Sequence, residues 1–478
     1  MKIMRQGKKM VKFVLKGLWK RLPLPKEKKA VLEYEYQIKR KLRYLRRDVS
    51  FEMKEALISK YQESEAPLSQ KVYEARFQEL TRKYKKIHIV KNNILNIGPM
   101  CEIYLSLSLL LEKYPMDEKL MLLLYDGDTP VFDERNSRIA NRWFLTKIKE
   151  LVDVIDTNTA PFWGYVVKEH PEICDFDTTD PYGRILYLDR EQILHHDINR
   201  YPSKVFLSFS EDEREKGNAA LARMGLKERD YFCFFSRSNE YHEAYFENHG
   251  SALALQTAIR NSSIEDFVQA IEQLNLPETK AVRVGAIDSR KAVGENIFDY
   301  TNTCRDEFLD FFLIGHAKFF FGDESGLACI PWLMNIPQAI TNKLAVFWCA
   351  ADYYKYNSTM NYTIYKKWWD RKKSRYLTLQ EVLDLSWKYG LSDEDEIRLY
   401  RNVGIDFHDN TAEEIADFLY EMHLRVDGKW QPDEEEIALR KKYWDAVNKT
   451  LLKAPPELTL WEYEPGGLFL KRNKWFLE

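Results

Sequence analysis

Short apolar runs that alternate with helical segments constrain the fold of this chain more than any other feature. From residue 228 to residue 342, each apolar run is followed by a turn, a helical segment and another apolar run. Runs this short and this apolar are typical of strands buried on both faces of a parallel sheet. Helices then cover both faces, so this segment predicts a doubly wound α/β domain. The predicted strands lie in YFCFFSR (231–237), KAVRVG (280–285), KFFFGDESG (318–326) and QAITN (338–342).

A similar series comes earlier in the chain. The β-branched run IHIV (87–90) is followed by the loop KNNILNIGPM, a long apolar segment and the run LMLLLYDGD (120–128). A helical segment and the run LVDVID (151–156) continue the alternation. Residues 160–200 mix Pro, Gly, Asp and Tyr, which indicates long loops over a cleft, or a linker. The predicted fold class is therefore α/β, with two doubly wound, Rossmann-like domains in series.

These patterns divide the chain into four parts. Residues 51–83 contain few helix breakers, so we expect a helical hairpin or an oligomerisation element there. The chain has 478 residues and 45% hydrophobic content, enough for a sizeable core in each of two domains. We expect a basic helical extension (1–83), a first Rossmann-like domain (84–205), a second Rossmann-like domain (206–430) and a helical tail (431–478) that returns to the first domain.

The composition excludes some functions. The net charge of −2 argues against nucleic-acid binding as the main role of the protein. The six cysteines form no CxxC pair, so we expect neither a zinc site nor a disulfide framework, and we expect reduced thiols as in the cytosol. The 28 Tyr, 26 Phe and 12 Trp residues suit stacking on sugars or bases, although core packing is their more ordinary use.

The N-terminus is strongly basic. Residues 1–50 carry 17 Lys and Arg against four acidic residues. Between Met10 and Trp19, apolar residues alternate with Lys, which is compatible with a basic helix on an anionic membrane surface through residues 1–24, or with a solvated or packed segment. No apolar run reaches the roughly 18 residues of a membrane span, and no signal peptide is evident. We expect a cytoplasmic protein, with peripheral attachment to the inner membrane face left open.

The strand YFCFF ends in Ser236-Arg237, which places a guanidinium at the carboxyl edge of the sheet. Arg binds phosphate through a forked, charge-assisted pair of hydrogen bonds, so both residues are candidates for binding a phosphorylated ligand. The loop that follows carries Tyr241 and His242, which are candidates for contacting a sugar. A surface ion pair at the strand end is the alternative role for Arg237.

The motif GDESG (322–326) joins a buried strand to a helix. Free backbone N–H groups at a helix N-terminus bind phosphate, and Ser325 adds a hydroxyl. Glu324 is a candidate acceptor for ribose or base hydrogen bonds, and Gly326 lets the backbone approach a ligand. The alternative is that Asp323 or Ser325 only caps the helix.

Weaker candidates lie at other strand ends. Arg283 and Gly285 share one side of an extended segment. Gly98 lies where the first strand turns into its helix, and Glu102 just beyond is a candidate base or an acid in the first turn of that helix. Asp126, in the DGD turn, resembles part of a DxD motif, which is common by chance. The sequence contains no P-loop, GxSxG or HExxH motif.

Taken in order, these motifs resemble a bacterial family of glycosyltransferases known mostly by sequence. The resemblance rests on the run LSFSEDEREKGNAALARMGLKERDYFCFFSRSNEYH, then VRVG, then RDEFLDFFLIGHAKFFFGDESGLACIPWLMNIPQAITN. It extends back through IGPMCEIYL and covers about residues 87–445. The family resembles the GT-B fold and, distantly, the heptosyltransferases. In those enzymes an acid-Ser/Thr-Gly turn holds the diphosphate of the nucleotide sugar.

The resemblance implies roles for particular residues. Glu324, Ser325 and Gly326 would lie at the donor phosphates with Arg237 nearby, and Tyr241 matches the loop Tyr of the family. Arg305 and Asp306 match the start of its S-D-F-L-D helix, where Asp306 is also a candidate cap. Two positions depart from the pattern: Pro99 stands where the family often has His, and Ser238 stands where it has Asp. The catalytic base is therefore open, with Glu102, His242 and Asp126 as candidates.

The sequence thus predicts a glycosyltransferase that needs no metal or other cofactor. It would move a sugar from a nucleotide-sugar donor, bound by the second domain, to an acceptor bound by the first. The acceptor is expected to be a glycan, a lipid-linked glycan or a protein. Gly98 and Asp126 are the candidate residues on the acceptor side. The candidate donor-binding residues are Ser236, Arg237, Tyr241, Arg283, Gly285, Glu324, Ser325 and Gly326. The alternatives are a catalytically silent nucleotide- or sugar-binding scaffold and a two-lobed nucleotide-sugar epimerase.

Overall fold

A computed structural model describes most of the chain beyond the basic N-terminus. The segment 1–24 and Asp126 lie outside the described residues. The predicted membrane-surface helix and the predicted role of the DGD turn therefore stay predictions. Within the described ranges, no helix has the length and apolarity needed to span a bilayer. The described residues are 50–64, 66–111, 115–125, 131–177, 205–245, 258–274, 276, 279–286, 288–344, 360–389, 399–451 and 463–478.

The N-terminal half of the fold contains a four-stranded sheet. All its strand pairs are parallel, and its strand order is β3-β2-β1-β4. Its elements are helices α1 (Ser50–Glu63), α2 (Ala66–Lys83), α3 (Ile97–Leu110), α4 (Arg142–Leu151) and α5 (Ala160–Glu169), and strands β1 (Lys86–Asn93), β2 (Glu118–Tyr125), β3 (Asp153–Ile155) and β4 (Cys174–Asp177).

The C-terminal half contains a larger parallel sheet and a small antiparallel one. Its strands are β5 (Tyr231–Phe235), β6 (Lys280–Arg283), β7 (Ile297–Asp299), β8 (Phe320–Asp323), β9 (Gln338–Lys343), β10 (Asn361–Tyr365), β11 (Lys367–Asp370), β12 (Arg375–Tyr376), β13 (Ile405–His408) and β14 (Glu464–Pro465). Its helices are α6 (Glu211–Arg223), α7 (Glu240–Tyr245), α8 (Ile264–Leu274), α9 (Tyr300–Thr303), α10 (Glu307–His316), α11 (Ile330–Met334), α12 (Leu379–Tyr389), α13 (Ala412–Val426), α14 (Glu434–Leu451) and α15 (Gly467–Arg472).

The seven-stranded sheet has the order β14-β10-β9-β8-β5-β6-β7, and its strand pairs are parallel. The chain therefore adds strands on one side of β5 and then crosses to β8 on the other side. In open parallel sheets, ligands bind outside the carboxyl ends of the strands at the point where the direction of strand addition reverses. This fold places that reversal between β5 and β8.

The helical hairpin predicted at 51–83 is confirmed as α1 and α2, and α1 packs against α5. The loop predicted from residue 160 is wrong for its first part, because Ala160–Glu169 is a helix. Most of α5 is buried, so it lacks the polar face that marks an amphipathic helix in sequence. Gly164 lies inside this continuous helix, where the lack of a Cβ permits close packing on α1: a Cβ there would collide with the carbonyl oxygen of Leu57.

Two features of the C-terminal half differ from the sequence prediction. Strands β10 to β13 were not predicted, and β11, β12 and β13 form an antiparallel sheet around the basic segment 366–376. The tail was expected to return to the first domain, but β14 pairs with β10 and α14 packs on α12 and α15. The described part of the tail therefore belongs to the seven-stranded sheet and its covering helices.

A buried charge network fixes this tail. Glu421 in α13 and Glu436 in α14 are both 0% exposed. Arg425 Nη2 lies 2.8 Å from Glu421 and 2.5 Å from Glu436, and Arg440 Nε donates to Glu436 at 2.9 Å. Glu421 also accepts the first two backbone N–H groups of α15, each at 2.9 Å. Each buried charge is thereby paired and hydrogen-bonded, as burial requires.

We expect Arg425→Met to lower the free energy of unfolding by about 3 kcal/mol, because it leaves two buried carboxylates short of a partner. Lys441→Met is the matched control, since Lys441 pairs with Asp445 on the exposed surface of α14, with side chains 76% and 63% exposed. That change should cost less than about 0.5 kcal/mol. Urea unfolding measures both, and equal losses would contradict a network role for Arg425.

Candidate functional site

The candidate site lies at the carboxyl edge of the seven-stranded sheet, between β5 and β8. Arg237 follows β5, and the turn Glu324-Ser325-Gly326 follows β8. Since β5 and β8 are parallel neighbours, with Phe235 opposite Gly322, both segments leave the sheet side by side. The structure thus brings the two main sequence predictions, Arg237 and the Glu324-Ser325-Gly326 turn, to the same edge of the sheet.

Asp323, the last residue of β8, organises this edge. It is 1% exposed. Its Oδ2 accepts hydrogen bonds from the backbone N–H of Arg237, at 2.8 Å, and from the hydroxyl of Ser262. Its Oδ1 accepts from Thr341 Oγ1 at 2.9 Å and from Asn342 Nδ2 at 2.8 Å. Burial raises the pKa of Asp323, and these hydrogen bonds, led by that of Arg237, oppose the rise.

Glu324 is held by a buried lysine. Lys343, at the end of β9, donates from Nζ to Glu324 Oε1 at 2.9 Å, and its side chain is 4% exposed. The ammonium also lies 5.1 Å from the ring centre of Tyr463. The only carboxylate of the turn that is open to solvent, at 18% exposure, is therefore neutralised by a neighbouring strand. This removes a negative charge that would otherwise repel an anionic ligand.

The capping alternatives for the turn do not match the structure. A 3-10 helix begins at Gly326, but the side chain of Ser325 makes no capping hydrogen bond. Its Oγ is buried and has no hydrogen-bond partner among the described residues. Asp323 does not cap this helix either, since its oxygens bond to Arg237, Ser262 and strand β9. The Ser325 hydroxyl therefore keeps its hydrogen-bonding capacity.

Gly98, in the first turn of α3, contacts Gly326, in the turn after β8. A Cβ built on Gly326 would lie 2.8 Å from the backbone nitrogen of Gly98 and 2.7 Å from Ile97 Cγ2. Gly98 lies in the first turn of α3, which has no acidic residue there and no side-chain cap from Asn96. The N-terminus of α3 thus faces the turn after β8, and only glycines permit this approach.

Tyr241 also joins the two halves of the fold. Its hydroxyl donates to the carbonyl of Leu95, in the loop after β1, at 2.8 Å. The guanidinium of Arg138 lies 5.3 Å from its ring centre. Its role at the donor remains a prediction, while the structure gives it a contact between α7 and the loop after β1.

Three other predicted residues are engaged within the protein. Ser236 Oγ bonds to the hydroxyl of Ser262 at 3.0 Å. The guanidinium of Arg283 is 2% exposed and pairs with Asp288 at 2.7 Å and with Asp299 at 3.0 Å. Gly285 packs closely, since its Cβ position lies 3.2 Å from Thr301 Oγ1. These contacts favour a supporting role for all three residues.

The candidate bases receive less structural support. Glu102 is 9% exposed and lies in the second turn of α3, not the first. His242 lies in α7, and its side chain is outside the described positions. Within the described part of the chain, no cluster of His, Cys, Asp and Glu side chains is placed to hold a metal ion.

Arg305 and Asp306 lie at the start of α10 and make local contacts. Asp306 caps the helix by accepting from the backbone N–H groups of Phe308 and Leu309 at 3.0 and 3.2 Å, as the capping alternative predicted. Arg305 Nη2 pairs at 2.8 Å with Asp310, which is 3% exposed. Burial raises the pKa of Asp310 to about 7, although the charge of Arg305 opposes the rise.

The comparisons with known proteins find only distant similarity. No protein-family model and no curated protein sequence matches this chain. Among solved structures, an E. coli ADP-heptose LPS heptosyltransferase II is 14% identical, with a TM-score of 0.31 over 53% of this chain and 84% of that chain. A family 9 glycosyltransferase from Veillonella parvula is 10% identical, with a TM-score of 0.39 over 72% and 98%.

A UDP-N-acetylglucosamine 2-epimerase is also similar, at 11% identity and a TM-score of 0.27 over 73% of this chain and 99% of that chain. Scores at this level carry no inference about fold or function.

We expect Asp310 to make stability depend on pH. Its pKa is about 7 in the folded protein, above the value of about 4 of an exposed aspartate, so ionisation favours the unfolded chain. Its contribution should therefore destabilise the fold progressively as pH rises from about 4 to about 7, with no further change above. Asp310→Asn should gain stability relative to the natural protein over that window, measured by urea unfolding at several pH values. A pH-independent difference would contradict this.

Proposed function

We propose that this protein is a glycosyltransferase with a GT-B-like arrangement of two Rossmann-like domains. The diphosphate of a nucleotide-sugar donor would bind between Arg237 and the turn Glu324-Ser325-Gly326. The observation that carries this proposal is the reversal of strand order between β5 and β8, which brings these two segments together at the carboxyl edge of the sheet. The order of sequence motifs around them, which resembles a glycosyltransferase family, supports the choice of reaction.

The electrostatics of this edge suit a diphosphate. Arg237 supplies a positive charge, and Lys343 neutralises Glu324. The buried Ser325 hydroxyl offers a donor, and the first turn of α3, which lies against the same turn, would add the backbone N–H groups of Ile97 and Gly98, since Pro99 has none. Donors held in place by the fold stabilise charge without the cost of reorganising water.

In the proposed reaction, an acceptor hydroxyl oxygen bonds to the anomeric carbon of the donor. The bond between that carbon and the diphosphate oxygen breaks, and the electron pair leaves with the nucleoside diphosphate. Arg237 and the backbone N–H groups would stabilise the negative charge that develops on the diphosphate. A general base accepts the proton of the acceptor hydroxyl, and Glu102, His242 and Asp126 remain the candidates for that role.

The facing loops of the two sheets suggest where the acceptor binds. The first turn of α3, which contains Gly98, contacts Gly326, and α7, which follows β5, contacts Leu95 through Tyr241. An acceptor that approaches the anomeric carbon would pass along these loops. We propose a glycan, a lipid-linked glycan or a protein as the acceptor, bound on the side of the four-stranded sheet.

Arg237→Ala should weaken nucleoside diphosphate binding by about tenfold or more, because it removes a charge-assisted hydrogen bond to phosphate. Ser325→Ala should weaken it less, since a neutral donor is lost. Arg223→Ala, which changes an exposed residue of α6, is the control and should leave binding unchanged. Calorimetric titration with UDP, GDP and ADP measures the dissociation constants.

Two results would contradict the proposal in different ways. Binding that survives both Arg237→Ala and Ser325→Ala would place the diphosphate elsewhere. Binding without sugar transfer or hydrolysis on a panel of nucleotide sugars would favour a silent scaffold. Turnover of UDP-sugars with no acceptor present would favour an epimerase.

The charge balance at Glu324 gives a second test. Lys343→Met should weaken binding of pyrophosphate by about tenfold, because Glu324 then faces the anion as an unpaired carboxylate. Adding Glu324→Gln to that variant should restore most of the affinity, since both charges are then gone. Pyrophosphate is the appropriate probe because it has no ribose for Glu324 to bind. A double variant no better than Lys343→Met would contradict the charge-balance argument.

A further inference from the structure

We propose that Asp323 is a positioning residue for the diphosphate site, because its carboxyl group fixes the backbone that carries Arg237. This inference rests on the proposed function of Arg237. Asp323 itself is buried beneath the edge and would not contact the ligand. The sequence pattern indicates only a helix cap at Asp323, whereas in the structure its carboxyl group bonds to Arg237, Ser262 and strand β9.

The two carboxylate oxygens of Asp323 bond to different parts of the fold. Oδ1 is bonded to side chains of Thr341 and Asn342, both in the neighbouring strand β9. Oδ2 is bonded to Arg237 and Ser262, both in loops that leave the sheet. The carboxyl group therefore connects a rigid strand of the sheet with the loops that form the site.

Asp323 holds the Arg237 backbone from both sides. It accepts the N–H of Arg237 directly, at 2.8 Å. The carbonyl of Arg237 accepts from the backbone N–H of Ser262 at 3.2 Å, and the hydroxyl of Ser262 bonds to Asp323. These three hydrogen bonds form a closed ring of contacts. Such a ring limits where the Cα of Arg237, and hence its guanidinium, can lie.

Neither Asn nor an apolar residue can reproduce this arrangement. Each carboxyl oxygen faces an N–H donor: Oδ2 faces the Arg237 amide, and Oδ1 faces Asn342 Nδ2. The orientation of Asn342 is fixed, since its Oδ1 accepts from the backbone N–H of Asn410 at 2.7 Å. An amide in place of Asp323 would direct its own NH₂ group at one of these donors. A carboxyl group satisfies both.

Arg290 forms further hydrogen bonds with the loops after β5 and before α8. Its Nη1 donates to the carbonyl of Ser262 at 2.7 Å and its Nη2 to the carbonyl of Ser236 at 3.1 Å. Asp288 in turn pairs with Arg290 at 2.7 Å. Arg290 thus links Ser236, which precedes Arg237, to Ser262. The backbone of Arg237 itself is held by Asp323 and Ser262.

A double-mutant cycle tests whether Asp323 acts through Arg237. The natural protein, Asp323→Ala, Arg237→Ala and the double variant are titrated with pyrophosphate by calorimetry. Asp323→Ala should weaken binding by about tenfold, as loss of a supporting contact commonly does. In the Arg237→Ala background, the same change should have little further effect. If Asp323 had only a general structural role, Asp323→Ala would weaken pyrophosphate binding by the same factor in the natural protein and in the Arg237→Ala variant.

Thr341→Val is the matched control. It removes a hydrogen bond to Oδ1 and leaves the bonds of Oδ2 to Arg237 and Ser262 in place. It should lower the urea midpoint of unfolding without weakening pyrophosphate binding. If Asp323→Ala does not fold, Ser262→Ala replaces it in the cycle, because it opens the same ring of contacts.

Each outcome has a distinct meaning. A natural protein that binds neither pyrophosphate nor any nucleoside diphosphate would overturn the proposed function, and this inference with it. Binding that depends on Arg237 but is unaffected by Asp323→Ala or Ser262→Ala would overturn the inference alone. Equal losses of affinity in Thr341→Val and Asp323→Ala would also overturn it, because general destabilisation would then explain both.

Discussion

The site depends on one buried carboxyl group. Asp323 ends strand β8 where the sheet changes its direction of strand addition, and it bonds to β9 through one oxygen and to the loops after β5 and before α8 through the other. A polar group this deeply buried is tolerated only when its hydrogen bonds are satisfied. The segments that satisfy it are the ones that form the candidate site. The hydrogen bonds that satisfy Asp323 therefore also position the segments of the candidate site.

Charge is arranged in layers around this group. Asp323 lies deepest, Glu324 lies next to it and is neutralised by Lys343, and Arg237 lies at the end of the neighbouring strand. Both acids are therefore engaged by protein donors, and an anion bound as proposed would meet Arg237, the Ser325 hydroxyl and the first turn of α3. The same principle operates in the tail, where Glu421 and Glu436 are buried only because Arg425 and Arg440 pair with them.

Much of the fold was predictable from local pattern. The buried strands, such as Tyr231–Phe235, follow from short-range rules and are confirmed. Helix Ala160–Glu169 was missed because it is apolar on most sides, so no amphipathic period marks it. Strand Ile297–Asp299 is too short to give a pattern, and the strands around 366–376 are hidden by a run of basic residues.

The sequence by itself determined that Arg237 and the Glu324-Ser325-Gly326 turn lie at strand ends, because an apolar run followed by turn residues defines a strand end locally. Only the tertiary structure decided that these two ends are neighbours, that Gly98 touches Gly326, and that Asp323 and Lys343 support the site. Strand order, register and burial bring together residues that are distant in the chain. No local pattern distinguishes a capping aspartate from one whose oxygens hold two loops and a strand.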